Sequence, residues 1–384
     1  MTATLTVAAP AVAAKSRNSF YRPELDVLRF FAFFGVFLFH FAHPVDFYVA
    51  HGIPRPVAAV ANGFMQGGVF GVDLFFVLSA YLITELLLRE KERFGDLDVR
   101  AFYIRRMLRI WPLYFFCIAL GLIPVLNPAG TFTWRYALPY LLLAGNWSII
   151  AYGWPLHSIV GQLWTVSIEE QFYLLWPPIV RKLSREHIAT AAVVMLFIST
   201  AVRIVMVAFH GGMNSVWCNT FGRLDPIAAG ILLATRLHGE APRFKVPARA
   251  FMACCGVVSL GLVASYWHIH EPETLEWIPT LLGFPIVAAS CTLILLAVLG
   301  LPGAMPRALL YLGKISYGLY VYHALGNLLS NMAVPAQRSF LQLAMRPLLA
   351  FLITVAISAI SYAWLETPFL RLKDRFARVA SRPV

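Results

Sequence analysis

The chain has 384 residues, 59% of them hydrophobic and only 13% charged, with a mean hydropathy of +0.70. A soluble domain carries about a quarter charged residues, so this composition excludes one. The 31 Lys and Arg outnumber the 19 Asp and Glu, but they fall between apolar runs, where topology signals belong, and so do not point to nucleic acid.

In chain order, residues 1–18 are rich in Ala and Thr and lack a basic start and a long apolar core. They read as a disordered tail rather than a cleaved leader. A single membrane domain follows over 19–372, then a basic cytoplasmic tail over 373–384. Apolar runs of about 20 residues, the length that spans a bilayer as a helix, lie at about 25–43, 69–88, 104–125, 163–180, 187–209, 219–236, 250–268, 279–300, 309–330 and 347–366. A further stretch at about 135–152 is interrupted by Pro139, Gly145, Asn146 and Gly153, and reads as re-entrant or interfacial. The expected fold class is all-α, a polytopic transmembrane helical bundle with about ten crossings plus that segment. With both termini cytoplasmic, 24 of the 31 basic residues lie on the inner side, the orientation the positive-inside rule selects. Cys117, Cys218, Cys254, Cys255 and Cys291 form no CxxC pair and no metal-ligand spacing, so free buried thiols and no metal are expected.

The first run carries Arg29 and, eleven residues later, His40 in a wall of Phe, Leu and Val. Eleven residues are close to three turns, so both side chains share one face, roughly 16 Å apart. An ionisable group inside a membrane helix costs about 2.5–3.5 kcal/mol, so it normally faces a bundle interior or a wet cavity. The second run opens on Asp73 at the end where His40 lies, with Ser79 deeper. A carboxylate there either orients an imidazole or caps the helix start.

Arg105, Arg106 and Arg109 open the third run on the cytoplasmic side. Three guanidinium groups so spaced suit a polyphosphate, since each can bind phosphate oxygens in a bidentate way. The fourth run holds Ser167, Glu169, Glu170, Gln171 and Tyr173 in an otherwise apolar helix, a cluster hard to justify as packing. Adjacent residues point about 100° apart, so only one of the two glutamates can face a given cavity squarely. Near the end come Ser316, Tyr317, Tyr320 and His323, then Glu366 two residues before Pro368.

Taken in order, these segments resemble the acyltransferase 3 family of bacterial integral-membrane O-acyltransferases, over nearly the full chain. The resemblance rests on Arg29 with His40, Gly71-Val-Asp73-Leu-Phe-Phe-Val-Leu-Ser79, Arg105-Arg106-x-x-Arg109, Trp164-Thr-Val-Ser167-Ile-Glu169-Glu170-Gln171-Phe-Tyr173, Ser316-Tyr317-x-x-Tyr320-x-x-His323, and Glu366-x-Pro368. The family usually has Gly where Ala80 stands, a departure that bears on helix packing more than on chemistry.

What the resemblance implies is acyl transfer, usually of acetyl, from cytoplasmic acyl-CoA to a hydroxyl of a glycan, lipid-linked or other cell-envelope acceptor, in the bacterial inner membrane. His40 is the expected general base, with Arg29 on the thioester's path and Glu169 or Asp73 orienting the imidazole. Arg105, Arg106 and Arg109 are the expected acyl-CoA clamp, and Ser79, Ser167, Gln171, Tyr173, Tyr320, His323 and Glu366 the expected substrate contacts. The competing reading is a multi-helix transporter or flippase, because intramembrane Arg, His and Glu also mark ion pathways.

Overall fold

The computed structural model describes residues 20–270, 274–334, 340–376 and 378–379, which hold helices and connecting segments and no strand. The tail expected over 1–18 lies outside them, as do 377 and 380–384 of the expected basic tail.

Helix α1 (Pro23–Phe39) starts on a proline, with Glu24 and Asp26 in its first turn, where acids complement the helix dipole. Short helices α2 (Val45–Ala50) and α3 (Arg55–Gly67) lead into α4 (Gly71–Phe94), which ends at Gly95 in the left-handed region, φ +75°. The Asp98 side chain accepts from the Ala101 N–H at 2.9 Å and starts α5 (Val99–Gly121). Then come α6 (Trp134–Leu141), α7 (Gly145–Tyr152), α8 (Trp164–Lys182), α9 (Arg185–Ala208), α10 (Asn214–Trp217), α11 (Leu224–Leu237) and α12 (Val246–Leu262). The last are α13 (Trp277–Val298), α14 (Arg307–Lys314), α15 (Ser316–Ala333), α16 (Phe340–Ser361) and α17 (Thr367–Asp374).

A helix stands at each of the ten expected spans. Among the described residues, five stretches are long and apolar enough to cross a membrane: Arg55–Phe94, Arg185–Ala208, Val246–Trp267, Trp277–Val298 and Met345–Asp374. The others fall short for identifiable reasons. Helix α11 has 14 residues, about 21 Å against a hydrocarbon core of about 30 Å. Helices α5 and α8 carry the arginines and glutamates of the candidate site, which lower their hydropathy. Over 135–152 the chain folds as α6 and α7, each of eight residues and about 12 Å. The break falls at Leu143, φ +58°, whose carbonyl accepts from Gln171 Nε2 at 3.0 Å.

Helix α4 packs on α1, α8, α11 and α13 at the centre of the bundle. Two glycines make that possible. A Cβ on Gly71 would meet the Ala32 carbonyl of α1 at 2.2 Å, and one on Gly230 the Val77 carbonyl of α4 at 2.4 Å. Two fully buried ion pairs stitch the same region: Arg223 to Asp73 at 2.8 Å, and Arg203 to Asp225 at 2.5 and 3.0 Å. The cysteines are free, and Cys117, Cys218 and Cys291 are buried. The expectation of burial fails at Cys254, which is exposed, because α12 turns most of its residues away from the bundle.

Candidate active site

Two cavities flank the middle of the bundle. The first is walled by Asp26 and Arg29 from α1, Ser79 from α4, Arg106 and Arg109 from α5, Thr165, Glu169 and Tyr173 from α8, and Tyr317 and Tyr320 from α15. Its character is cationic. Arg29 is offset by Asp26 at 2.9 Å, whereas Arg106 and Arg109 have no ion-pair partner among the described residues. The Arg106 guanidinium lies over the Phe102 and Tyr173 rings, 5.4 and 5.9 Å from their centroids. Such stacking holds a planar cation in place and leaves its edge N–H groups for an anion. Glu169 is held by the Ser79 hydroxyl, which donates to its Oε1 at 2.6 Å.

Arg105, the third member of the expected clamp, does not wall this cavity. It donates to Glu90 at 3.0 Å and to the Phe376 carbonyl at 2.7 Å. Glu90 is buried, and a buried carboxylate needs a cation, so the nearest guanidinium is spent there.

The second cavity is walled by Val36, His40, Val72, Gln162, Trp164, Trp217, His270, Tyr320, Asn327 and Asn331. His40 caps the end of α1, is exposed to this space, and has Nδ1 2.7 Å from the Val36 carbonyl. His323 is buried beside it, Nδ1 2.5 Å from the Tyr320 carbonyl, the two imidazole centroids 4.9 Å apart and edge-on at 65°. A carbonyl can only accept, so each Nδ1 carries the proton and each Nε2, in the neutral ring, carries a lone pair. That tautomer suits a base at His40. Asn327 and Asn331 each have a buried amide oxygen without a partner, and Trp164 and Trp217 supply flat apolar walls. His270 donates from Nε2 to Gln66 Oε1 at 3.2 Å; burial pushes its imidazole down to about 4, so it stays neutral at physiological pH.

Neither carboxylate expected to orient His40 does so. Asp73 faces Arg223 and Glu169 faces Ser79 in the other cavity; the orienting group is the backbone carbonyl of Val36. Glu170 turns away from both cavities and accepts from Trp111 Nε1 at 2.8 Å. Among the expected substrate contacts, Ser79, Tyr173 and Tyr320 line cavities, and His323 stands behind His40. The other three line neither cavity. Ser167 accepts from the Gly145 N–H at 3.2 Å. Gln171 bonds Leu143, Asn146 and Thr220. Glu366 is buried facing Gly318. Sequence reasoning missed Arg223 as a partner, although an arginine inside an apolar run is itself a sign that a buried acid is near. Among the described residues no group of His, Cys, Asp and Glu could hold a metal ion.

The acyltransferase 3 family model, described as an acyltransferase domain, matches residues 22–363. Among curated proteins, the O-acetyltransferase OatA of Staphylococcus aureus strain NCTC 8325 is 28% identical over 373 residues, covering 91% of this chain and 57% of its own. A putative O-acetyltransferase of strain MSSA476, SAS0844, is 25% identical over 391 residues, covering 92% of this chain and 58% of its own. The chain therefore spans a little over half the length of these relatives. No solved structure gives a significant match.

Proposed function

The chain belongs to the acyltransferase 3 family, and from that premise we propose that it is a membrane-embedded O-acyltransferase. It moves an acyl group, acetyl by likeness to the O-acetyltransferases it resembles, from acyl-CoA to a hydroxyl of a glycan or other cell-envelope acceptor. The observation that supports this most is the pairing of a cationic cavity at Arg106 and Arg109 with a second cavity holding His40. The first suits the phosphates of a CoA donor. The second suits a hydroxylated acceptor, with amide oxygens and tryptophan faces to bind it and a base to deprotonate it.

In this reading His40 Nε2 takes the acceptor's hydroxyl proton as the oxygen attacks the thioester carbonyl. A carbon–oxygen bond forms, the carbon–sulfur bond breaks, and CoA leaves with the proton returned to its sulfur. Arg29 and Glu169 flank the thioester's route on the donor side. The chain crosses the inner membrane about ten times with both termini in the cytoplasm, which puts the arginine cavity on the side where CoA is available. The test is mass analysis of acceptor oligosaccharide incubated with purified protein and acetyl-CoA. If the protein neither acylates an acceptor nor hydrolyses acetyl-CoA, a transporter or flippase is the reading left standing.

Two outcomes follow at the donor side. Arg109→Ala should weaken acyl-CoA binding by roughly 10- to 150-fold, the value of one charge-assisted bond of about 1.5–3 kcal/mol. Lysine there should recover only part, having lost the planar fork. Arg93 is exposed in the last turn of α4, and Arg93→Ala serves as the comparison in an acetyl-CoA titration. Equal affinities in the two variants would reduce the arginines to topology signals. Glu169→Gln should lower activity more than Glu170→Gln at equal expression, because Glu169 alone of the pair lines a cavity. A greater loss from Glu170→Gln would reverse that assignment.

A further inference from the structure

Tyr320 and Val72 line both cavities. Among the described residues no other is shared between the two walls, so these side chains are the partition between the arginine side and the His40 side. The partition is pinned. The Tyr320 hydroxyl lies 2.8 Å from Thr165 Oγ1 and 3.0 Å from the Gln162 carbonyl, and Thr165 Oγ1 lies 3.1 Å from that same carbonyl. Two hydroxyl protons serve this triangle, and in either arrangement the Tyr320 proton is already engaged. The ring is backed edge-on by Phe75 at 5.8 Å and touches His323 at 5.5 Å. Behind His323 stands His40.

We propose that Tyr320, together with Val72, is the size filter for the transferred acyl group. This rests on the acyl-transfer reading above. A CoA thioester entering from the arginine side presents its acyl end first, since the acyl carbons lie beyond the sulfur. That end therefore meets Tyr320 and Val72 before the carbonyl can reach an oxygen activated at His40. An acetyl group leads with one methyl. A branched acyl group leads with two, and must displace a ring that hydrogen bonds hold in place. The same partition keeps acceptor-side water from the thioester, so it also protects the donor from hydrolysis.

The decisive experiment has two arms. In the first, Val72→Ala and Tyr320→Ala are compared with the unaltered protein for transfer from acetyl-CoA and isobutyryl-CoA to the same acceptor. The isobutyryl-to-acetyl ratio should rise by about tenfold or more in both, the discrimination one methylene-sized contact can give. Tyr320→Phe keeps the bulk and loses the pin, so it should raise the ratio by less than either alanine variant while raising acceptor-independent hydrolysis of acetyl-CoA. A ratio unmoved in both alanine variants overturns the filter.

The second arm does not need turnover. Ser79→Cys, on the arginine side, is exposed in sealed vesicles to a membrane-impermeant thiol reagent, with the native cysteines as background. Labelling from one face only is expected while Tyr320 is present, and from both faces once it is alanine. Labelling from both faces with Tyr320 in place overturns the partition. If the unaltered protein transfers no acyl group while Ser79→Cys labels from one face only, the acyl-transfer reading and with it the filter are refuted, and the partition stands.

Discussion

His40→Ala should cut acyl transfer by at least about 100-fold, since a positioned acid or base contributes roughly 10²- to 10⁴-fold. Because His40 sits at the end of α1 with its Nδ1 on the Val36 carbonyl, loss of activity alone could be blamed on a frayed helix. His40→Asn separates the two roles. An asparagine amide can occupy the place of Nδ1–H and still donate to that carbonyl, but it has no basic nitrogen. The asparagine variant should therefore match wild type in thermal stability and match alanine in activity. Near wild-type transfer by either variant would make His40 a cap, and the acid–base chemistry would have to be sought elsewhere.

Asp73→Ala should lower stability by about 3–5 kcal/mol, the usual cost of stripping one partner from a buried ion pair. Arg223 is fully buried, and its Nε and Nη1 already lack partners, so removing the carboxylate strands its charge against the Trp217 and Phe284 rings, 4.2 and 5.1 Å away. Replacing such a pair by apolar side chains of similar volume is often neutral or better. Asp73→Leu combined with Arg223→Met should thus recover both the fold and the activity. A double variant that melts like wild type yet transfers nothing would return Asp73 to the chemistry. Measuring detergent-solubilised melting alongside transfer rate distinguishes these outcomes.

Much of the frame was legible in the sequence because it is periodic. Apolar runs of bilayer length located a helix at every expected span, and Arg29 in α1 and His40 at its C-terminal cap each line a cavity. The 100° step between neighbours likewise placed Glu169 and Glu170 in different surroundings. What sequence could not supply were partners set by tertiary packing. Asp73 finds Arg223 150 residues away, and no local pattern encodes that meeting. Arg105 left the clamp because Glu90, fifteen residues earlier, is buried and takes it. The group that orients His40 is a main-chain carbonyl, which every residue has and none advertises. The break at Leu143 follows the same rule: its freed carbonyl is met by Gln171 from α8, a residue that reads in isolation as a substrate contact.

The glycine seam between α4 and α11 has a mechanical consequence. With the Val77 carbonyl pressed on Gly230 and Asp73 paired to Arg223, α4 is bolted to its neighbour, and sliding it would strand buried charges at a cost of about 3–5 kcal/mol. Across the gap, the Tyr320 hydroxyl is fastened by neutral hydrogen bonds of about 0.5–1.5 kcal/mol each. One wall is thus stiff and the other compliant. Any breathing that lets the two cavities communicate is carried by α15 and the α16 it packs against, while α4 acts as the fixed jaw. Backbone amides of α4 should accordingly be among the slowest in the chain to exchange with deuterium, and those around Tyr320 measurably faster.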